Sequence, residues 1–161
     1  MKTRGFTLIE ILIVIGMIAI LAAVVLVAIN PLRQFAQARE SQRMENVSAI
    51  LNAIGERIAD NKGVFQDASG SCSSALPSSA EDMEKAGGYD MRSCLVPTYI
   101  SDLPYDPSTG SNTCTDSACA GASYDTKYTV LQDATTMRIT VCAPAGVEPA
   151  ISGSAAICLT R

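Results

Sequence analysis

The chain of 161 residues contains no histidine and no tryptophan, and only 5% of it is aromatic. Without histidine there can be no Ser-His-Asp triad, no histidine general base and none of the common histidine-containing zinc sites. Basic residues are scarce: 12 Lys and Arg face 16 Asp and Glu, for a net charge of −4. Gripping a phosphate backbone takes clustered Lys and Arg, so no direct nucleic-acid partner is expected. Cysteine is absent from residues 1–71 and Cys-x-x-Cys occurs nowhere, the closest pair being Cys114-x4-Cys119. That spacing argues against a zinc ribbon or a thioredoxin-type centre. Gly153-Ser154 does not make a Gly-x-Ser-x-Gly elbow. The chain reads as non-enzymatic, and it has no internal repeat.

Charge is also missing from one long stretch, Ile11 to Ile29. At the helical rise this run covers roughly 28 Å, close to the bilayer hydrocarbon thickness of about 30 Å. Lys2 and Arg4 precede it and are expected to stay on the cytoplasmic side. The apolar block opens with Gly5-Phe6-Thr7-Leu8-Ile9-Glu10, so its single ionisable group, Glu10, stands near its start. A carboxylate there is costly, which marks it as a functional residue in need of a partner. A secretory signal peptide is the plain alternative, but its apolar region spans about 7–15 residues and ends at a small-x-small site. Here Ala36-Gln37-Ala38 is set off from the apolar block by Pro31, Arg33 and Gln34. An ordinary single-span anchor leaves Gly5-Phe6 and Glu10 unexplained.

Gly5 to Glu10, in front of that run, resembles the amino-terminal signature of type IV pilins and of the pseudopilins of type II secretion. The resemblance implies that a dedicated prepilin peptidase cuts after Gly5, that Phe6 is then methylated, and that Glu10 acts in subunit assembly. It implies a single-pass precursor in the bacterial inner membrane, surrounded by lipid, with its C-terminal domain outside the cytoplasm. Inner-membrane assembly machinery would then build a homo-oligomeric helical filament, extracellular or periplasmic. Loss of Lys2 and Arg4 with the leader would leave a charge of −6. The segment Leu103-Pro-Tyr-Asp-Pro107 resembles one in calcium-binding major pseudopilins, so a pilus subunit and a secretion pseudopilin both stay open. Asp102, Asp106, Asp116 and Asp125 could supply hard oxygen ligands for calcium. Solvated loop acids and turn formers are the preferred reading of these four, with calcium the minor alternative, and no other cofactor is expected.

The organisation read from the chain is a leader at 1–5, an apolar half-helix at 6–30, an amphipathic half-helix at 31–62 and a globular part at 63–161. One helix is predicted from about Thr7 to Asn61, locally loosened at Asn30-Pro31. Met44, Val47, Leu51, Ile54 and Ile58, widened by Ile50, form its apolar stripe, with Arg39, Glu40, Arg43, Glu45, Glu56 and Arg57 largely off it. Lys62-Gly63 supplies the stop. Ser79 is positioned to cap a short helix from Ala80 to Ala86 that Gly87 ends. Gly110 to Gly121 reads as an irregular loop. Alternation at Tyr124–Val130, Met137–Cys142 and Ala155–Leu159 predicts a three-stranded antiparallel sheet on the amphipathic half-helix, an α+β fold.

All six cysteines, Cys72, Cys94, Cys114, Cys119, Cys142 and Cys158, follow the apolar run. With the basic start cytoplasmic, they face an oxidising compartment where disulfides persist. Six cysteines allow 15 pairings. Cys142–Cys158 is favoured because both fall on the polar face of strands expected to pair, where Cβ atoms approach to about 3.8 Å. Cys114–Cys119 and Cys72–Cys94 follow by elimination and short loops.

Overall fold

A computed structural model describes residues 5–28, 30–67, 70, 72–116 and 118–161, so Lys2, Arg4 and Ile29 lie outside the described residues. The chain divides into two compact units, 1–35 and 36–161. In the first, α1 runs Leu8–Ala28, a 21-residue helix of Leu, Ile, Val and Ala with Glu10 in its first turn. Its large apolar side chains, from Leu8 to Leu26, are exposed. A helix apolar all round has no preferred face to bury against one sheet.

The second helix, α2, is Pro31–Asp60. Asn30 stands outside both helices and caps the new one: its carbonyl accepts the Gln34 N–H at 3.3 Å and its Oδ1 accepts the Arg33 N–H at 3.4 Å. Proline at the first helical position lacks only an N–H that would have had no helical partner. The helical stretch predicted from Thr7 to Asn61 is thus present from Leu8 to Asp60, interrupted at Asn30. At its far end the Gly63 N–H donates to Ile58 O at 2.8 Å, while Lys62 takes the left-handed conformation at φ 57°. This is the Schellman stop.

The face that α2 buries departs from the predicted stripe on both sides: Arg43 and Arg57, assigned to the polar side, are buried, while Met44 is exposed and Ile58 only half-buried. Ala36, Arg43, Val47, Ile50, Ile54 and Arg57 are inside, flanked by Leu51 and Ala53. Arg43 replaces Met44 because two carboxylates wait in the interior. The apolar part of this face joins Tyr124, Tyr128, Val130, Ile139, Val141, Ala143 and Ile157 in one core cluster. Fully burying a Val, Leu or Ile side chain contributes about 1.5–3 kcal/mol.

The sheet is antiparallel with strands β1 (Glu81–Glu84), β2 (Ser111–Asn112), β3 (Tyr124–Gln132), β4 (Ile139–Ala143) and β5 (Ile157–Thr160). Its order is β1-β3-β4-β5, with β2 also on β3. Asp125 lies opposite both Glu84 and Ser111, so β1 and β2 flank β3 on opposite edges. The three predicted strands are therefore joined by two short ones. β1 falls where a helix from Ala80 to Ala86 was expected. Its Met83 is fully buried and Glu81 and Asp82 pair with Val130 and Thr129, so pairing with β3 overrides local helix preference. A side chain on Gly88 would meet the Asp82 carbonyl, to which the Tyr89 N–H donates at 2.8 Å. The short helix that does form, α3 (Arg92–Leu95), comes later. Met137, expected within a strand, sits exposed in the β3–β4 turn at φ 57°.

Candidate functional site

Glu10 and Thr7 form a reciprocal hydrogen-bonded pair at the start of α1. The Thr7 N–H donates to Glu10 Oε2 at 2.8 Å, the Thr7 hydroxyl donates to the same oxygen at 2.9 Å, and the Glu10 N–H reaches Thr7 Oγ1 at 3.3 Å. Thr7 also accepts the first helical bond, from the Ile11 N–H. This is a capping box, in which side chains satisfy helix-start donors that the backbone leaves free. Among the described residues, both hydrogen bonds to the Glu10 carboxylate go to Oε2. Gly5 and Phe6 are exposed just ahead of the helix, Phe6 by 85%. Behind them Leu8–Leu26, 19 residues, is long and apolar enough to cross a membrane, and none of it is buried. So large an apolar surface needs lipid or protein around it.

Residues 1–26 match the family model of the prokaryotic N-terminal methylation motif. The chain carries the signature of type IV pilins and pseudopilins. No curated protein and no solved structure matches it. With the apolar helix near its start, the pilin-type motif fits a membrane-anchored precursor processed by a prepilin peptidase and handed to filament assembly. Sequence reasoning picked out Gly5, Phe6 and Glu10 but passed over Thr7. The signal was available as Thr-x-x-Glu, the capping-box spacing, directly before an apolar run. Ala36-Gln37-Ala38, the site a signal peptide would need, lies within α2 with Ala36 fully buried.

In the globular unit the candidate residues go to structural duty. Arg43 is 1% exposed, and its guanidinium bridges two segments of chain. Nε donates to Asp106 Oδ2 at 2.6 Å, Nη1 to Glu148 Oε1 at 2.5 Å and Nη2 to Ser108 Oγ at 2.8 Å. Arg39 clasps Glu148 with both ends of its fork, at 2.8 and 2.6 Å. Two cations thus meet two carboxylates, the balance a buried network requires. Burial pushes the Asp106 carboxyl up, but hydrogen bonds from Arg43, Ser108 and Thr109 outweigh it and hold the carboxyl well below its ordinary range. The Arg39 hydrogen bonds lower Glu148 to about 2, against its burial and with help from Arg43.

The four aspartates offered for calcium are not brought together. Asp102 pairs with Arg92 and accepts from Asn112 and the Leu103 N–H. Asp106 is filled by Arg43 and its own turn, Asp125 pairs with Lys127, and Asp116 Oδ1 accepts the Ala120 N–H. Among the described residues no three His, Cys, Asp or Glu gather as a metal cluster. The structure thus gives these aspartates separate partners rather than a shared calcium cage. Ser154, beside Gly153, exchanges hydrogen bonds with the Glu148 backbone and braces a turn. The disulfides are Cys72–Cys94, Cys114–Cys119 and Cys142–Cys158. The last joins directly opposed residues of β4 and β5.

Proposed function

We propose that this protein is the structural subunit of a type IV pilus-like helical filament. It is made as an inner-membrane precursor, cut after Gly5, methylated on Phe6 and polymerised through α1. The observation that carries this reading is the coincidence of three features at one end of the chain: the methylation motif, the unburied 19-residue apolar helix, and a carboxylate at its first turn. In lipid the helix is satisfied by acyl chains, and in a filament by the same helix of neighbouring copies. Cleavage creates a positive amine on Phe6, and in an assembled stack this amine meets the Glu10 carboxylate of a copy already docked. Away from water such a pair attracts far more strongly than the roughly 1 kcal/mol at 4 Å in bulk solvent. Register is thereby tied to the release from lipid.

Extracted protein analysed by intact mass should begin at N-methylated Phe6. Protein that retains Met1, or that begins near Arg39, would refute the reading. A pseudopilin of a type II secretion system is the second reading, favoured by the likeness of Leu103-Pro-Tyr-Asp-Pro107 to the pseudopilin segment. Filament imaging separates the two: long surface fibres support the pilus, and fibres confined to the envelope support the secretion role.

A further inference from the structure

The three disulfides differ in how a reagent can reach them. Cys72 and Cys94 are 2% and 5% exposed within the core. Cys119 is 1% exposed and its carbonyl accepts from the Lys85 ammonium, while its partner Cys114 is half-buried like Cys142, so the fully exposed Cys158 is what sets the β4–β5 bond apart. Cys158 is exposed and Cys142 half-buried, both on the outer face of β4–β5, opposite the face that buries Val141, Ala143 and Ile157. Thiol–disulfide exchange needs an attacking thiolate to reach a sulfur, so access decides which bond opens first.

The same disulfide closes the segment that carries Glu148. Cys142 and Cys158 are 16 residues apart, and the chain between them brings Glu148 to Arg43 and Arg39 of α2. β5 ends the strand order, so among the described residues β4 is its one strand partner, and the crosslink ties the two at one register position.

We propose that Cys142–Cys158 is the exchangeable disulfide of this domain: an external thiol opens it while the other two stay closed, and its opening frees the Glu148 segment from α2. In the first step an external thiolate attacks the Cys158 sulfur, the S–S bond breaks, a mixed disulfide forms at Cys158 and Cys142 leaves as a thiolate. A second external thiolate attacks the mixed disulfide, releasing Cys158 as a thiolate and the external thiol as its own disulfide. The protons lost by the two external thiols pass to Cys142 and Cys158, and the protein sulfurs gain two electrons.

The test uses the full chain in detergent micelles, treated with graded dithiothreitol, quenched with N-ethylmaleimide and mapped by peptide mass. Cys142 and Cys158 should be labelled at a reductant concentration about tenfold below that which labels the other four. In this singly opened species, amide hydrogen exchange across residues 144–156 should rise about tenfold while Val47–Arg57 keeps its protection. The Cys142→Ser/Cys158→Ser double variant should show the same exchange pattern with no reductant present. Labelling of Cys114 and Cys119 first, of Cys72 and Cys94 first, or of all six together would overturn the proposed order. Unchanged exchange at 144–156 in the singly opened protein would overturn the link to Glu148.

Discussion

α1 and α2 follow one another in the chain and satisfy their side chains in opposite ways. α1 spans Leu8–Ala28 with its large apolar residues exposed. α2 buries Val47, Ile50 and Ile54 in the core and takes Arg43 and Arg57 in with them. In α1 the single charge, Glu10, is held by Thr7 of its own turn. In α2 the inward charges are consumed within the domain: Arg43 by Asp106, Ser108 and Glu148, and Arg57 by Asp67 and the carbonyls of Phe65 and Cys94. One helix therefore depends on what surrounds the molecule, and the other is complete inside it. Substitutions in α1 should change assembly and spare folding, and substitutions on the inner face of α2 should do the reverse.

The largest effect is expected at Glu10. Glu10→Gln should be cleaved after Gly5 and persist in the membrane, yet yield at least about tenfold fewer filaments, because an interaction worth more than about 1.4 kcal/mol per subunit is removed. If Glu10 served only the helix dipole, a contribution of about 0.3–1 kcal/mol, assembly would be nearly normal. Abundant filaments made purely of the Gln variant, counted by electron microscopy, would sink the assembly role.

At the inner face of α2, Arg43→Leu leaves Asp106 and Glu148 buried without their shared cation. Breaking a buried pair in this way costs about 3–5 kcal/mol, read as a lower midpoint in urea unfolding with cleavage after Gly5 unchanged. Ile50→Ala should cost about 2–5 kcal/mol. The neighbouring exposed position, Met44→Ala, should stay within about 0.5 kcal/mol of the parent. Equal losses at 44 and 50 would show that the buried face has been assigned to the wrong side of α2.

Acid should erode the α2 network gradually. Folded Glu148 lies at about 2 and Asp106 is held low by its hydrogen bonds, while unfolded carboxyls titrate at about 4. Their contribution is complete above the unfolded range and is lost as pH falls toward and through the folded values. Unfolding midpoints of the parent should therefore decline from about pH 5 downward. In Arg43→Leu the same carboxyls have lost a cation, so mild acidification should narrow the gap to the parent. A gap that widens on acidification would contradict the network.

How much of this was readable beforehand depended on how far apart the partners lie in sequence. The amino-terminal signature and the apolar run are local, and so is the alternation that puts Cys142 and Cys158 on one face of adjoining strands. Arg43 was placed on the polar side because its partners, Asp106 and Glu148, lie 63 and 105 residues away. An apolar/polar pattern sorts a lone arginine outward and in doing so moved the stripe onto Met44. β1 was missed for the same reason. Glu81–Glu84 has no strand pattern of its own and becomes a strand only because β3 offers it an edge.

Asn30 gives the junction between the helices a consequence of its own. Helix formation is cooperative, so a turn that melts normally invites the next to follow. Pro31 has no N–H to bind back across the junction, and Asn30 starts α2 with a cap of its own. If α1 passes from lipid into a filament as proposed, any unwinding that begins in it meets a firebreak there. The apolar segment is free to loosen and reform while the turns beneath the sheet stay wound.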